Sequence, residues 1–338
     1  MKKKIGIWVV LAFGLILVLT ACGEKSQEQV VEKLENNMEA MDGYKAKAEM
    51  DMNTGDAPQK FNIDTWYKKK DFYRVALSDN QDKKSNQIIL KNEDGVFVLT
   101  PALEKSFKFQ TEWPENSSQP YLYQSLVNDV VSDKDAAFEA TDKHYIFKTK
   151  TNYQSNNNLP FQEVYFNKKT YTPELVKVLD KDKKVLVEVK FSSFDTKPGF
   201  EKDDFTMDKN MASSDVDAPV SGEETDDTLT VLFPDYMAGA ELEERKEVEI
   251  SDGKRVILTF SGEKNFTIVE EKRDVQPTLS SPQELKGDIV NLGHTIAALS
   301  GNTLKWTNDG VDFTLASEEL TKEELVEVAQ SVQRKEAK

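Results

Sequence analysis

Residue types able to make and break bonds are scarce in this chain. It holds one cysteine, Cys22, and two histidines, His144 and His294, among 338 residues. Tetrahedral zinc asks for three or four Cys, His or carboxylate ligands in a fixed spacing, and no H-x-x-x-H or C-x-x-C is present. A G-x-S-x-G elbow and a phosphate-binding glycine loop are missing as well. His144 follows Lys143 at the start of a strand pattern and reads as a surface residue. His294 follows Gly293 in a loop-like stretch and reads as structural. Aspartates and glutamates are many, but they fall at turns and on helix faces, which leaves a two-carboxylate hydrolase as the enzymatic alternative. Asp252-Gly253 and Asp309-Gly310 are hairpin-turn chemistry, because the regular ligand spacing of a calcium loop is lacking. The expectation is a protein that is not an enzyme, with no metal and no cofactor.

Cys22 is the exception, and its surroundings say why. Lys2, Lys3 and Lys4 precede an almost wholly apolar run of about 15 residues, Ile5 to Leu19. That is the charged-then-apolar order of an export signal, and it is shorter than the roughly 20 residues of a spanning helix. Leu19-Thr20-Ala21-Cys22-Gly23 resembles the bacterial lipobox. The resemblance implies cleavage after residues 1–21 and a covalent diacylglyceryl and N-acyl lipid at Cys22. Two or more acyl chains, at about 0.8 kcal/mol per buried CH₂, anchor stably where one binds marginally. The expected location is the extracytoplasmic face of the cell membrane. With no second cysteine, no internal disulfide can form there.

Charge narrows the partners. The formal net charge of −16 becomes −19 once Lys2, Lys3 and Lys4 are removed. Nucleic-acid binding without sequence preference needs a basic surface, and adhesion to anionic lipid needs the same. The lipid is therefore the expected hold on the membrane, and nucleic acid is excluded.

Hydrophobic periodicity sets out the elements behind this anchor. Ser26 and Gln29 form a capping box, followed by Val30, Leu34, Met38 and Met41 at helical spacing. Tyr44, Ala46, Ala48, Met50 and Met52 then alternate with charged residues, the mark of a half-buried strand. Further strands are expected at 61–67, 71–77, 87–90 and 96–100. A deeply buried helix begins at Pro120 and carries Leu122, Leu126 and Val130, and strands resume to Phe194. Residues 211–227 are small, acidic and turn-rich, which reads as a linker. Beyond it, strands at 228–233, 248–250 and 255–260 and a capped helix after Thr321 predict a second α+β unit. The expected domains are thus 22–210 and 228–338.

The stretch Thr65-Trp66-Tyr67, Phe72-Tyr73-Arg74, Ile88-Ile89-Leu90 and Asp94-Gly95-Val96-Phe97-Val98-Leu99-Thr100-Pro101 resembles the LolA-like lipoprotein-carrier family, in a similarity running from about Val30 to Met207. With its lipobox and C-terminal extension, the whole chain looks like the YdcC-type sporulation lipoproteins of Gram-positive spore formers, relatives of clostridial spore-germination lipoproteins. The resemblance implies an α+β fold: a curved antiparallel open half-barrel with helices on its concave face, plus the smaller C-terminal module. In carriers that hollow holds acyl chains. The residues expected to line it are Met50, Met52, Phe61, Ile63, Ile89, Phe97 and Leu99, with Leu122, Leu126 and Val130 of the buried helix facing them. Two departures count against shuttling. The chain is tethered, and where carriers use an arginine to hold the lid it has Lys68-Lys69-Lys70, with Arg74 further along. The expected function is a membrane-anchored interaction protein or scaffold of the envelope, in sporulation or germination, with an envelope protein as partner. Binding of lipid or lipoprotein acyl chains in the hollow is the alternative.

Overall fold

The computed structural model of the chain describes residues 24–53, 58–70, 72–79, 86–111, 118–152, 159–212, 229–251, 253–273, 282–293, 295–308 and 310–333. The signal and Cys22, His294, Asp252, Asp309 and nearly all of the expected linker lie outside them.

Helix α1 (Gln27–Ala40) opens the fold. Ser26 accepts from the Gln29 backbone while Gln29 reaches back to Ser26. Strands β1 (Gly43–Met52), β2 (Gln59–Lys68), β3 (Phe72–Asp79), β4 (Gln87–Asn92), β5 (Gly95–Thr100) and β6 (Lys105–Phe109) follow as an antiparallel meander. Gly95 closes the β4–β5 turn at φ +132°, a conformation that favours glycine. Helix α2 (Tyr123–Ser132) starts later than Pro120 predicts: Leu122 is its N-cap residue and donates its backbone N–H to Gln119. Then come β7 (Ala137–Ala140), β8 (His144–Lys150), β9 (Phe161–Asn167), β10 (Pro173–Leu179) and β11 (Val185–Asp195), with β11 pairing back onto β1. Helix α3 (Met207–Ala212) takes in the first two residues of the expected linker.

The C-terminal part holds β12 (Phe233–Pro234), β13 (Ala240–Ile250), β14 (Gly253–Gly262), β15 (Phe266–Arg273), β16 (Gln283–Leu285), β17 (Asp288–Asn291), β18 (Ile296–Ser300), β19 (Thr303–Asn308), β20 (Val311–Ala316), helix α4 (Lys322–Gln330) and β21 (Val332–Gln333). Thr321 and Glu324 make the capping box of α4.

The first sheet runs β16-β6-β5-β4-β3-β2-β1-β11-β10-β9-β8-β7 and does not close on itself. From β4 to β8 is seven strand spacings, about 34 Å if the sheet were flat. Yet Ile89 of β4 and Phe147 of β8 share one core with the two helices, so the sheet wraps around them as an open half-barrel. The fold is α+β. The second sheet runs β13-β14-β15-β20-β19-β18-β17, with α4 on one face.

The modules meet along the β4–β6 side. Strand β16 from the C-terminal part pairs in parallel with β6 and becomes an edge of the first sheet. Gln87, almost fully buried, donates to the Thr307 carbonyl (2.7 Å) and accepts from the Thr295 hydroxyl (2.6 Å). Lys105 bridges to Asp312 at 3.2 Å.

Candidate functional site

The expected hollow is the natural place to look for a site, because a curved apolar sheet face must be filled by side chains or by ligand. Here side chains fill it. Met50, Met52, Ile63, Ile89, Leu122, Leu126 and Val130 belong to one core, and Phe61 sits at its margin. A void wide enough for a methylene chain would leave the atoms lining it accessible. Met50, Ile89 and Leu126 are each 0% exposed and Met52 is 1% exposed. Val30 and Leu34 of α1 complete the cover. Tyr44 ties α2 to β1: its hydroxyl donates to Gln124 (3.2 Å) and accepts from the Tyr123 backbone (3.1 Å). Its ring stacks on Phe194 at 4.8 Å.

The C-terminal module closes the same core. Ile289, Ile296 and Ala298 join it. Gly293, at φ +93°, lies so close to Met52 that an added Cβ would stand 2.5 Å from the Met52 methyl. The Tyr121 hydroxyl accepts from Asn291 at 3.4 Å.

Phe97 and Leu99 do not line this space. Side chains alternate along a strand, and in β5 it is Val96 and Val98 that face the helices. Phe97 and Leu99 point to the opposite face, where they pack with Ile88, Leu90 and Phe205. Val96-Phe97-Val98-Leu99 is apolar throughout because both faces of β5 are buried, so hydrophobicity alone carries no phase. Register does: Ile89 pairs with Val98 and Leu90 with Phe97.

Arg74 is also on that opposite face. Its guanidinium stacks on Trp66 at 4.5 Å, its Nε donates to Asn210 of α3 (2.6 Å), and Asp64 lies 3.8 Å away. Lys45 stacks on the same indole at 4.1 Å. Arg74 thus fastens residues 199–212 to the back of the sheet and cannot hold the helices at the front. Beside it, Glu201, Asp203 and Asp204 form the one grouping of metal-ligand type found among the described residues. The Lys209 ammonium occupies it, 2.9, 2.9 and 2.7 Å from the three carboxylates.

His144 is half-buried rather than a free surface residue, and its Nε2 lies 2.5 Å from Glu174. Asn167 donates to the other Glu174 oxygen (2.6 Å), and this bond, ahead of the histidine, holds the Glu174 carboxyl below its usual range. The grouping braces the β8, β9 and β10 ends.

Sequence reading missed Asp129. It sits under a polar cleft of about 640 Å³ that Asn128, Asp133, Lys150 and Asn152 help to line. Burial pushes its carboxyl up to about 6, against the opposing hydrogen bonds from Ser118 (2.8 Å) and Gln162 (2.6 Å). Its partners are a hydroxyl and an amide, both of which donate to it and hold it in place. A single Asp on the polar side of α2 carries no signal of burial in the sequence.

Where the chain emerges toward Cys22, its first described residues are fastened down. Glu24 pairs with Lys168, and the Lys25 ammonium donates to the Tyr171 hydroxyl at 2.5 Å. No helix among the described residues is long and apolar enough to cross a membrane.

Comparison with known proteins gives the relationship. A "Sporulation protein YdcC" of Bacillus subtilis (strain 168) is 49% identical over 341 residues, covering all of both chains. Among solved structures, the Pseudomonas aeruginosa MucA/MucB complex aligns over 91% of this chain and 99% of the matched one, at 13% identity and a TM-score of 0.34. A putative outer membrane lipoprotein-sorting protein domain from Vibrio parahaemolyticus aligns over 55% and 100%, at 14% identity and a TM-score of 0.34. The model of the "Sporulation protein YdcC-like" family matches residues 2–205, the part that builds the helix-filled half-barrel, and the chain belongs to that family.

Proposed function

We propose that this protein is a membrane-anchored, extracytoplasmic lipoprotein that serves as a non-catalytic binding partner for another envelope protein during sporulation. The observation that carries the choice of scaffold over carrier is the filled hollow: Leu126 and its neighbours occupy the space an acyl chain would need. Sporulation comes from the 49% identical relative and the family, whose printed descriptions name it.

The anchor reading rests on Leu19-Thr20-Ala21-Cys22. Docking of Glu24 and Lys25 adds a consequence. Two residue steps separate Cys22 from Glu24, at most about 7 Å of chain. A lipid on Cys22 would then hold the Lys168–Tyr171 end of the half-barrel against the membrane, with no spacer between them.

Metabolic labelling with a palmitate analogue tests the anchor. Wild type should be labelled and sediment with membranes, and Cys22→Ala should be unlabelled. Equal labelling of the two would overturn it. Organic extraction and mass spectrometry of the purified protein test the scaffold side: stoichiometric bound lipid other than the covalent anchor would revive the carrier reading.

A further inference from the structure

The first sheet has its concave face filled and its back covered at β4 and β5, whereas the second has a long open edge. Strand β13 is its terminal strand, and among the described residues nothing pairs with its outer edge. It is eleven residues long, and Glu241 through Glu247 are all exposed. Unpaired strand edges are templates for another strand, and natural proteins shorten them, cover them or load them with charge. This one is long. It carries five glutamates, Glu241, Glu243, Glu244, Glu247 and Glu249, against Arg245 and Lys246.

An apolar recess lies beside that edge. Phe233, Pro234, Met237, Glu241, Leu242 and Phe260 line about 320 Å³, room for one or two bulky side chains. Leu242 is 42% exposed, the one large exposed hydrophobic residue found among the described residues. It pairs with Phe260 across β13 and β14, and a bulge falls between Leu242 and Glu244. Side chains of neighbouring strands at matching positions share a face. A strand added outside β13 would therefore place alternate side chains over the recess, next to Leu242.

We propose that β13 receives an extended segment of a protein partner as an eighth strand. The segment would seat a bulky apolar residue beside Leu242 in the recess, with flanking lysines or arginines facing the strand's glutamates. Backbone hydrogen bonds supply the pairing and the pocket supplies selectivity, as in other strand-addition modes. The acidic edge sets the sign of the partner's charge and makes the association depend on salt. This surface deepens the reading of a protein-binding role and rests on it for the choice of a protein occupant.

Hydrogen exchange on the full chain in detergent tests it with two nine-residue probes. One alternates lysine with valine and leucine, and the other has glutamate in place of lysine. The lysine peptide should slow amide exchange across residues 240–250 at least tenfold, and half-molar salt should abolish the effect. Leu242→Ser should weaken it about tenfold without altering exchange elsewhere, and Glu241→Gln with Glu244→Gln should reduce its salt dependence. Protection by neither peptide, or equally by both, would overturn the proposal. Protection of 240–250 without peptide that grows with protein concentration would replace the partner by a second copy of this chain. None of these outcomes bears on palmitate labelling, so the anchor reading stands or falls separately.

Discussion

The two sheets solve the same problem in opposite ways. The first sheet buries one face under α1 and α2 and, at β4 and β5, the other under residues 199–212, so Ile88 and Ile89, neighbours on β4, both sit in cores. The second packs α4 on one face, and beyond the helix its far strand, β13, is bare for most of its length. A protein that needed an adaptable hollow would keep the first sheet open. This one fills the half-barrel, and the longest of its terminal strands, the eleven-residue β13, lies in the C-terminal module. Burial in the first sheet therefore specifies the fold, and the second carries the strand edge proposed above for a partner.

The largest expected effect lies where the seal is tightest. Leu126 is 0% exposed and faces the middle of the half-barrel. Leu126→Glu places a carboxyl in that core without a partner and should cost about 4 kcal/mol or more in urea unfolding. Leu126→Phe separates the two meanings of the hollow. In a filled core the larger ring strains its neighbours by about 1–3 kcal/mol. Unchanged stability in Leu126→Phe would mean spare room and would break the contrast between the sheets.

Gly293 tests the seal where the two modules meet. A side chain there meets both a backbone in the left-handed region and the Met52 methyl. Gly293→Ala should lose roughly 2–3 kcal/mol, and the loss it adds on a Met52→Ala background should be smaller by the part due to collision. Full stability of Gly293→Ala would mean that the C-terminal loop is not a fixed wall of the core.

How much of this was legible beforehand differs between the sheets too. In β1, charged residues alternate with Tyr44, Ala46, Ala48, Met50 and Met52, and the buried face could be read directly. In β5 every residue from Val96 to Leu99 is apolar, so only the pairing with β4 reveals that Phe97 and Leu99 face backwards. Strand β13 failed for the converse reason. From Glu241 to Glu247 it is polar except for Leu242, so only residues 248–250 read as strand. Its pairing with β14 supplies what its side chains do not. Of the strand expected at 228–233, the described residues 229–232 lie outside any strand and only Phe233 enters β12; the Leu232 amide is held by the Glu270 carboxyl at 3.2 Å to each oxygen.

Buried carboxylates offer a finer comparison. Burial raises Asp129, beside the first sheet, to about 6, and Glu270, inside the second, to about 8. Raised folded values mean that the native state binds protons more tightly than the unfolded one. The stability they contribute is complete below about pH 4 and is lost as pH rises through 6 and then 8. At about 1.4 kcal/mol per pK unit, Asp129 accounts for roughly 2–3 kcal/mol. Asp129→Asn should flatten the loss between pH 4 and 7, and Glu270→Gln the loss between pH 5 and 9. Both are read from urea midpoints across pH. A wild type that instead gains stability through these windows on their account would reverse the sign assigned to burial.

The smallest effect is expected at Leu242, and its smallness is the point. Leu126 and Leu242 have the same side chain on opposite sides of the comparison, one 0% and the other 42% exposed. Surface substitutions away from special features change stability by less than about 0.5 kcal/mol. Leu242→Ser should stay within that limit in urea unfolding, while Leu126→Ser should fall near the cost of truncating a core leucine, about 2–5 kcal/mol. If Leu242→Ser destabilised the chain as strongly as Leu126→Ser, its side chain would be sealed against Phe260, and the second sheet would have no open recess to offer a partner. If it leaves stability untouched, an apolar residue is held at the edge of an acidic strand for a reason other than folding.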